Sequence, residues 1–117
     1  MRTTLIASLL FAWLAATAQA ASPEVRALTK GMDCVSFRLA KTNQRIRLSE
    51  ERAIPGTTTV WALVNEGPSS SVIYASNGDR IPLAVFDGQV TMFTGDDRYS
   101  YSVGLRRSGA ALVHICR

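Results

Sequence analysis

The sequence predicts a small, mainly β domain: an antiparallel sandwich or barrel of about eight short strands, with a short N-terminal helix and one disulfide. Three observations carry this prediction. Apolar and polar residues alternate from Met32 onward, which is the period of a half-buried strand. Turn residues interrupt the alternation at short intervals, as is typical of β sandwiches and barrels. The chain also has only two cysteines, Cys34 and Cys116.

Residues 1–20 have the layout of a secretory signal peptide. Arg2 supplies a positive start, Leu5 to Ala16 are almost wholly apolar, and Ala18-Gln19-Ala20 is a small-x-small cleavage site. The apolar run is shorter than the about 20 residues that span a membrane. We therefore expect a periplasmic or secreted protein, a single domain at 21–117 and no transmembrane span after the signal is removed. The alternative is an N-terminal membrane anchor that is never cut.

The charge and the cysteines fit such a compartment. Loss of Arg2 reduces the formal net charge of +4 to about +3, which is too mild to argue for nucleic acid as a partner. In an oxidising compartment a lone pair of cysteines is expected to form a disulfide. A Cys34–Cys116 bond closes a loop of about 83 residues, worth about 4–5 kcal/mol in the chain-entropy model. The rival interpretation, two free redox thiols, lacks a Cys-x-x-Cys motif.

Local signals place each element in turn. Ser22 is a helix-capping residue, Pro23 suits a first helical turn, and Gly31 ends the helical pattern. Asn77-Gly78 and Asp87-Gly88 both predict hairpin turns. Pro82 cannot donate to a ladder and so predicts an edge strand. The predicted strands are 35–39, 44–48, 57–64 (a central strand, apolar on both faces), 72–75, 81–86, 90–93, 99–105 and 111–116.

No pattern typical of an enzyme occurs in the sequence. Gly-x-Ser-x-Gly, His-Glu-x-x-His and phosphate-binding glycine loops are absent. His114 is the only histidine, and the sequence nominates neither a nucleophile nor an orienting group for it, so we interpret it as a structural strand residue. Asp96 and Asp97 suit a turn. We expect a non-enzymatic protein without a cofactor or a metal site.

Three arginines are the strongest candidates for binding. Arg38, Arg45 and Arg47 take outward positions on two consecutive strands. If those strands pair across the turn at 41–43, their guanidinium groups share one face, which suits a carboxylate-rich or phosphate-bearing partner. The alternative is a solvated face that prevents sheet aggregation. Tyr99 and Tyr101 also suit a binding surface, but their apolar register favours core or rim packing.

By subtraction, the predicted function is that of an exported, non-enzymatic binding module that engages another protein of the envelope or from outside the cell. Rigid β scaffolds commonly present recognition on their loops. We therefore nominate the turn Ser76, Asn77, Gly78 and Asp79, together with the arginine face. An immunity protein against a toxin delivered to the periplasm has the same features.

The layout also resembles that of the periplasmic inhibitors of C-type lysozyme, which have a signal, an early and a terminal cysteine, and an eight-stranded barrel between them. Ala75-Ser76-Asn77-Gly78 resembles their Ser-Gly inhibitory loop, and 92–96 resembles the segment after it. Asn77 interrupts the Ser-Gly pair, and the family's tyrosine and lysine in these segments are absent. The resemblance therefore implies a lysozyme-inhibiting role in which only Ser76 is carried over.

The export signal and the cysteine pair generate one prediction together. Protein recovered from the periplasm should begin at Ala21 and contain no free thiol. Intact mass spectrometry with and without reduction and alkylation measures both properties. A full-length mass, or two thiols that alkylate without reductant, would contradict the prediction.

Overall fold

The fold is mainly β, as a computed structural model that describes residues 21–48 and 58–117 shows. The predicted signal peptide and the whole of the predicted loop at 49–56 lie outside the described residues. Within the described ranges, one helix precedes eight strands, in agreement with the sequence. The elements are α1 (Pro23–Leu28), β1 (Cys34–Leu39), β2 (Arg45–Arg47), β3 (Thr58–Pro68), β4 (Ser71–Ala75), β5 (Arg80–Leu83), β6 (Thr91–Asp96), β7 (Tyr101–Leu105) and β8 (Ala111–Cys116).

The strands form two four-stranded antiparallel sheets. Sheet 1 has the order β1-β8-β3-β6 and sheet 2 the order β2-β7-β4-β5. Both sheets contribute to one hydrophobic core, Leu63 and Val113 from sheet 1 and Ile73 and Val103 from sheet 2, all fully buried. The arrangement is sandwich-like, because alternate residues of each sheet point inward.

An aromatic cluster fills one end of this core. The rings of Phe93 and Tyr101 meet edge to face at 5.0 Å, and Trp61 stacks beside Phe93 at 6.0 Å. A Cβ at Gly95 would lie 2.6 Å from the Trp61 ring, so glycine is required there. The Asp96 backbone N–H donates to the Tyr101 hydroxyl at 2.8 Å, which satisfies the polar end of a buried tyrosine. Core packing of Tyr101 is confirmed.

The predicted hairpin at Asp87-Gly88 is wrong, and the pairing across 41–43 on which a shared arginine face depends does not form, because the chain crosses between sheets at both places. β1 lies in sheet 1 and β2 in sheet 2, and β5 and β6 are likewise separated, so Asp87-Gly88 does not close a two-stranded hairpin. After β1, the Gln44 side chain accepts from the Ala40 backbone N–H at 2.9 Å and donates to the Arg38 carbonyl at 3.2 Å. These two hydrogen bonds occupy backbone groups that a neighbouring hairpin strand would otherwise use. β2 pairs with β7 instead.

Other local predictions are confirmed. β4 and β5 form a hairpin across Asn77-Gly78, and Gly78 has a φ of +96°, a conformation that glycine adopts without strain. β5, which contains Pro82, lies at the edge of sheet 2, and β3 is an interior strand of sheet 1. Proline is tolerated at an edge because its missing N–H then breaks no ladder.

Helix α1 lies on the outer face of sheet 1. The Ser22 side chain accepts from the Val25 backbone N–H at 3.3 Å as the predicted N-cap. The helix ends at Leu28, before Gly31, and the Thr29 hydroxyl donates to the Val25 carbonyl at 2.9 Å. Within the described residues, no helix is long and apolar enough to cross a membrane.

The predicted disulfide is confirmed. Cys34 and Cys116 lie directly opposite each other on β1 and β8, with their Cα atoms 4.0 Å apart. The bond therefore joins the first and last strands of the domain within one sheet.

We expect the double substitution Cys34→Ala and Cys116→Ala to lower the free energy of unfolding by about 2–5 kcal/mol, because it releases a long loop in the unfolded state. Thermal melts of the double variant and of the oxidised wild type measure the change. Reduced wild type serves as a control with an unchanged core. Equal melting temperatures for all three samples would contradict the prediction.

Candidate functional site

A shallow basic groove crosses the outer face of sheet 2, where it meets the β4–β5 turn. Its volume is about 280 Å³. It is lined by Arg45, Arg47, Tyr74, Ala75, Ser76, Ser100, Tyr101 and Ser102. The fold therefore brings two of the nominated arginines together with the nominated turn.

The register of sheet 2 builds the floor of the groove. Arg47 of β2 lies opposite Ser102 of β7, which lies opposite Tyr74 of β4. Because side chains alternate across a strand, this row points to the same outer face. The small side chain of Ser102 in the middle of the row keeps the floor low between the arginine and the tyrosine.

Gly104 allows Arg45 to reach Tyr74. Arg45 lies opposite Gly104 in the β2–β7 ladder, and its guanidinium carbon is 3.5 Å from the centroid of the Tyr74 ring. A Cβ at position 104 would lie 3.2 Å from the Arg45 side chain and 3.3 Å from the Tyr74 ring. Because Gly104 has no side chain, the Arg45 side chain can cross β7 and reach the Tyr74 ring.

The Tyr74 ring contacts two cations. Arg80 approaches the same ring at 5.7 Å, and the Tyr74 hydroxyl donates to the Leu105 carbonyl at 3.3 Å. Each cation–π contact is worth about 0.5–1 kcal/mol at an exposed site. The stacked Arg45 guanidinium keeps its edge N–H groups available, so this arginine is positioned in advance for an acceptor.

The Ser76 turn is fixed to the neighbouring connection. The Ser76 backbone N–H donates to the Ser100 carbonyl at 2.9 Å, and the Ser100 N–H donates to the Ser76 hydroxyl oxygen at 3.0 Å. Ser76 is exposed. Its oxygen accepts one bond, and its own O–H points to no partner among the described residues, so it can donate to a ligand.

The rest of the nominated turn shapes the backbone. The Asn77 amide donates to the Asp79 carboxylate at 3.0 Å, and the Asp79 backbone N–H donates to the Asn77 side chain at 3.0 Å. Gly78 donates its N–H to the Ala75 carbonyl. These are the hydrogen bonds of an Asx turn, so Asn77, Gly78 and Asp79 hold Ser76 in place.

The charge of the groove is positive. Arg45, Arg47 and Arg80 are exposed, and in the described part of the chain no carboxylate lies within ion-pair distance of them. Arg38 does not join them, because it lies on β1 of sheet 1 while β2 belongs to sheet 2. The expected face of three arginines is therefore split, and two of the three line the groove.

A second polar cluster lies under α1, on the outer face of sheet 1. His114 is 1% exposed. Its Nε2 is 2.5 Å from Glu66 Oε2, and its Nδ1 is 2.7 Å from Ser36 Oγ. The sequence predicts a structural histidine without partners, whereas the fold supplies both a carboxylate and a hydroxyl.

Glu66 lies in a bulge of β3, beside the histidine. The β3–β8 register shifts between Asn65 and Pro68, and the Asn65 side chain holds the bulge by accepting from the Gly67 N–H at 2.7 Å and donating to the Ser69 carbonyl at 2.8 Å. β-Bulges commonly redirect a side chain in this way. Glu66 also accepts from the Ser22 backbone N–H at 3.1 Å, which ties α1 to the sheet.

These contacts change the acidity of Glu66. Burial is the largest single influence and raises the pKa of the carboxyl group. The hydrogen bonds from His114 and Ser22 together outweigh it, so the pKa of Glu66 lies below its ordinary value. Glu66 is therefore ionised at neutral pH, and His114 Nε2 must carry a proton in order to donate to it.

No sequence motif marks these residues. Ser36 and His114 are 78 residues apart and are neighbours only because β1 pairs with β8. In the sequence, Gly104 is only a residue that disfavours a strand. Its role in making room for Arg45 becomes visible with the β2–β7 pairing. Outward-facing polar residues at matching positions of the first and last predicted strands are the signal in the sequence that points to Ser36 and His114.

Neither cluster forms a metal centre. Among the residues that the structure describes, no three His, Cys, Asp or Glu side chains converge as ligands. The groove offers guanidinium, hydroxyl and aromatic groups, which bind anions and hydrogen-bond acceptors.

Comparisons place the chain in no family. No family model matches it, and no curated protein and no solved structure matches it significantly. The two clusters described above are therefore the basis for a functional proposal.

The Glu66 contacts predict an acid-sensitive stability. Because folding lowers the pKa of Glu66 below its ordinary value of 4.5, its contribution is complete above that value and is lost as the pH falls through the folded-state pKa. Glu66→Gln should remove this part of the pH dependence. Urea unfolding of both proteins at pH 6, 4.5 and 3 measures it. If the free energy of unfolding falls equally in both proteins, Glu66 does not contribute in this way.

Proposed function

We propose that this chain is an exported binding module that engages a carboxylate-rich segment of another protein in the periplasm or outside the cell. The single observation that carries the proposal is the groove, in which Arg45, Arg47 and the Ser76 turn border one exposed surface. The predicted signal peptide supports export, and the confirmed disulfide suits an oxidising compartment.

The groove favours carboxylates because of its donors. Arginine presents N–H groups that pair with a carboxylate in a bidentate manner. Arg45 is already ordered on Tyr74, which reduces the entropy that binding would cost. Arginine and tyrosine are also the residue types that dominate binding hot spots. The mild net charge argues against nucleic acid.

An inhibitor of C-type lysozyme is the second candidate, and the exposed position of Ser76 favours it. Lysozyme acts with two carboxyl groups that flank its substrate cleft. A projecting turn that carries a serine hydroxyl, flanked by two arginines, is complementary to such a cleft. An immunity protein against a periplasm-delivered toxin would use the same groove with a different acidic partner.

Capture from an envelope extract by the immobilised, oxidised protein identifies a partner. Charge reversal by Arg45→Glu and Arg47→Glu should then raise the Kd at least tenfold, about 1.4 kcal/mol, and reduce the salt dependence of binding. Titration calorimetry at two salt concentrations measures both effects. Gly104→Ala should also weaken binding, because it displaces Arg45 from Tyr74 without a change in charge.

Arg38→Glu is the matched control, since it makes the same charge change on the other sheet. If Arg38→Glu weakens binding as much as Arg47→Glu does, net charge and not the groove is responsible. A lysis assay with C-type lysozyme tests the second candidate, with Ser76→Arg as the blocking variant. Lysis at full rate in the presence of the oxidised wild type would exclude that candidate and leave the general binding module.

A further inference from the structure

We propose that Ser36 is an activated serine nucleophile that accepts the acyl group of small esters, with His114 as its general base. The site lies on the outer face of sheet 1, and the groove lies on the outer face of sheet 2. This activity is therefore separate from the proposed binding function and goes beyond the non-enzymatic role expected from the sequence.

The hydrogen bonds assign a role to each group. Glu66 is ionised and accepts from His114 Nε2, so in a neutral imidazole Nδ1 carries the lone pair. Nδ1 then accepts from the Ser36 hydroxyl at 2.7 Å. A hydroxyl, a base and an orienting carboxylate in hydrogen-bonded sequence form the arrangement that activates a serine. Glu66 is a positioning residue, because it acts through His114.

The surroundings allow a substrate to reach Ser36. A pocket of about 320 Å³ opens between α1 and sheet 1, and both Ser36 and His114 line it. Ser36 is exposed, while His114 is almost fully buried. The nucleophile therefore faces the solvent, and the base is shielded from bulk water that would compete for its lone pair.

The walls of the pocket indicate the class of substrate. Val25, Met32 and the Cys34–Cys116 disulfide form an apolar part, and Arg26 and Lys30 add two cations. A short acyl chain suits the apolar part. The cations supply positive charge for the oxyanion that develops on the carbonyl oxygen.

The chemical step balances with the ester and water as the only reactants. The Ser36 O–H bond breaks, its proton passes to His114 Nδ1, and Oγ forms a bond to the carbonyl carbon of the ester while the C=O π pair moves onto the carbonyl oxygen. The C=O bond then re-forms as the bond between that carbon and the leaving oxygen breaks, and the proton on Nδ1 passes to the leaving oxygen. Water repeats the sequence on the acyl-serine and releases the acid. Glu66 stabilises the imidazolium that forms in each half.

The imidazole nitrogen that contacts the Ser36 hydroxyl determines the turnover that we expect. The hydroxyl meets Nδ1, whereas in the chymotrypsin arrangement it meets Nε2. Nδ1 lies nearer to its own backbone, so the approach of a substrate is narrower. We therefore expect efficient acylation by small, reactive esters and slow turnover.

The experiment uses the oxidised mature protein and p-nitrophenyl acetate. Release of p-nitrophenol gives the rate, and intact mass with peptide mapping locates the acetyl group. Wild type should acquire one acetyl group on Ser36. Ser36→Ala should abolish this adduct, whereas Ser108→Ala, an exposed turn serine outside both sites, should leave it unchanged. An adduct only on Lys30 or the N-terminal amine would overturn the proposal.

Two further variants separate activation from simple exposure. His114→Gln should lower the rate of acylation at Ser36 at least 100-fold, and Glu66→Gln at least tenfold, in samples whose disulfide and thermal melt are checked. If His114→Gln does not fold, Ser36→Ala and Glu66→Gln still decide the question. Acylation of Ser36 at the wild-type rate in Glu66→Gln would overturn the positioning role, and in His114→Gln the whole proposal.

Discussion

The pairing of β8 with β1 and β3 is the constraint on which the rest of this structure depends. β8 lies between these two strands in sheet 1, and its Cys116 carries the bond to β1. Its inward residues complete the core, and its outward residue His114 meets Glu66 of β3 and Ser36 of β1. Without β8, sheet 1 separates into β1 alone and the β3–β6 pair. The polar cluster under α1 exists only while all three strands are in register.

The sequence predicts what depends on neighbours in the chain and fails where distant strands decide. The eight strands, the cap at Ser22 and the turn at Asn77-Gly78 follow from alternation, capping and turn chemistry. The assignment of β2 to sheet 2 does not follow from these local signals. The Gln44 side chain bonds to the backbone at the end of β1, where a hairpin partner would otherwise pair. The predicted arginine face fails for this reason, although Arg45 and Arg47 do point outward.

The two candidate sites also differ in how far the sequence predicts them. For the groove, outward arginines and an exposed turn are local features, and only their common location with Tyr74 needs the β2-β7-β4 register. For the cluster at His114, both side-chain contacts of the histidine join residues at least 48 positions apart. A bulge in β3 completes it, and a bulge leaves no periodic signal. A lone histidine in an apolar strand therefore reads as structural until its cross-strand neighbours are known.

The position of β8 has a consequence for the order of events when the chain is made. Ribosomes deliver a chain from its N-terminus, so β8 emerges after the other strands that the structure describes. Until then β1 has no partner in its sheet, and residues 21–110 present the open edges of β1 and β3. The domain must therefore reach its native state after synthesis, through contacts of large sequence separation, which form slowly. Until β8 pairs with both strands, these two edges remain open to pairing with other chains.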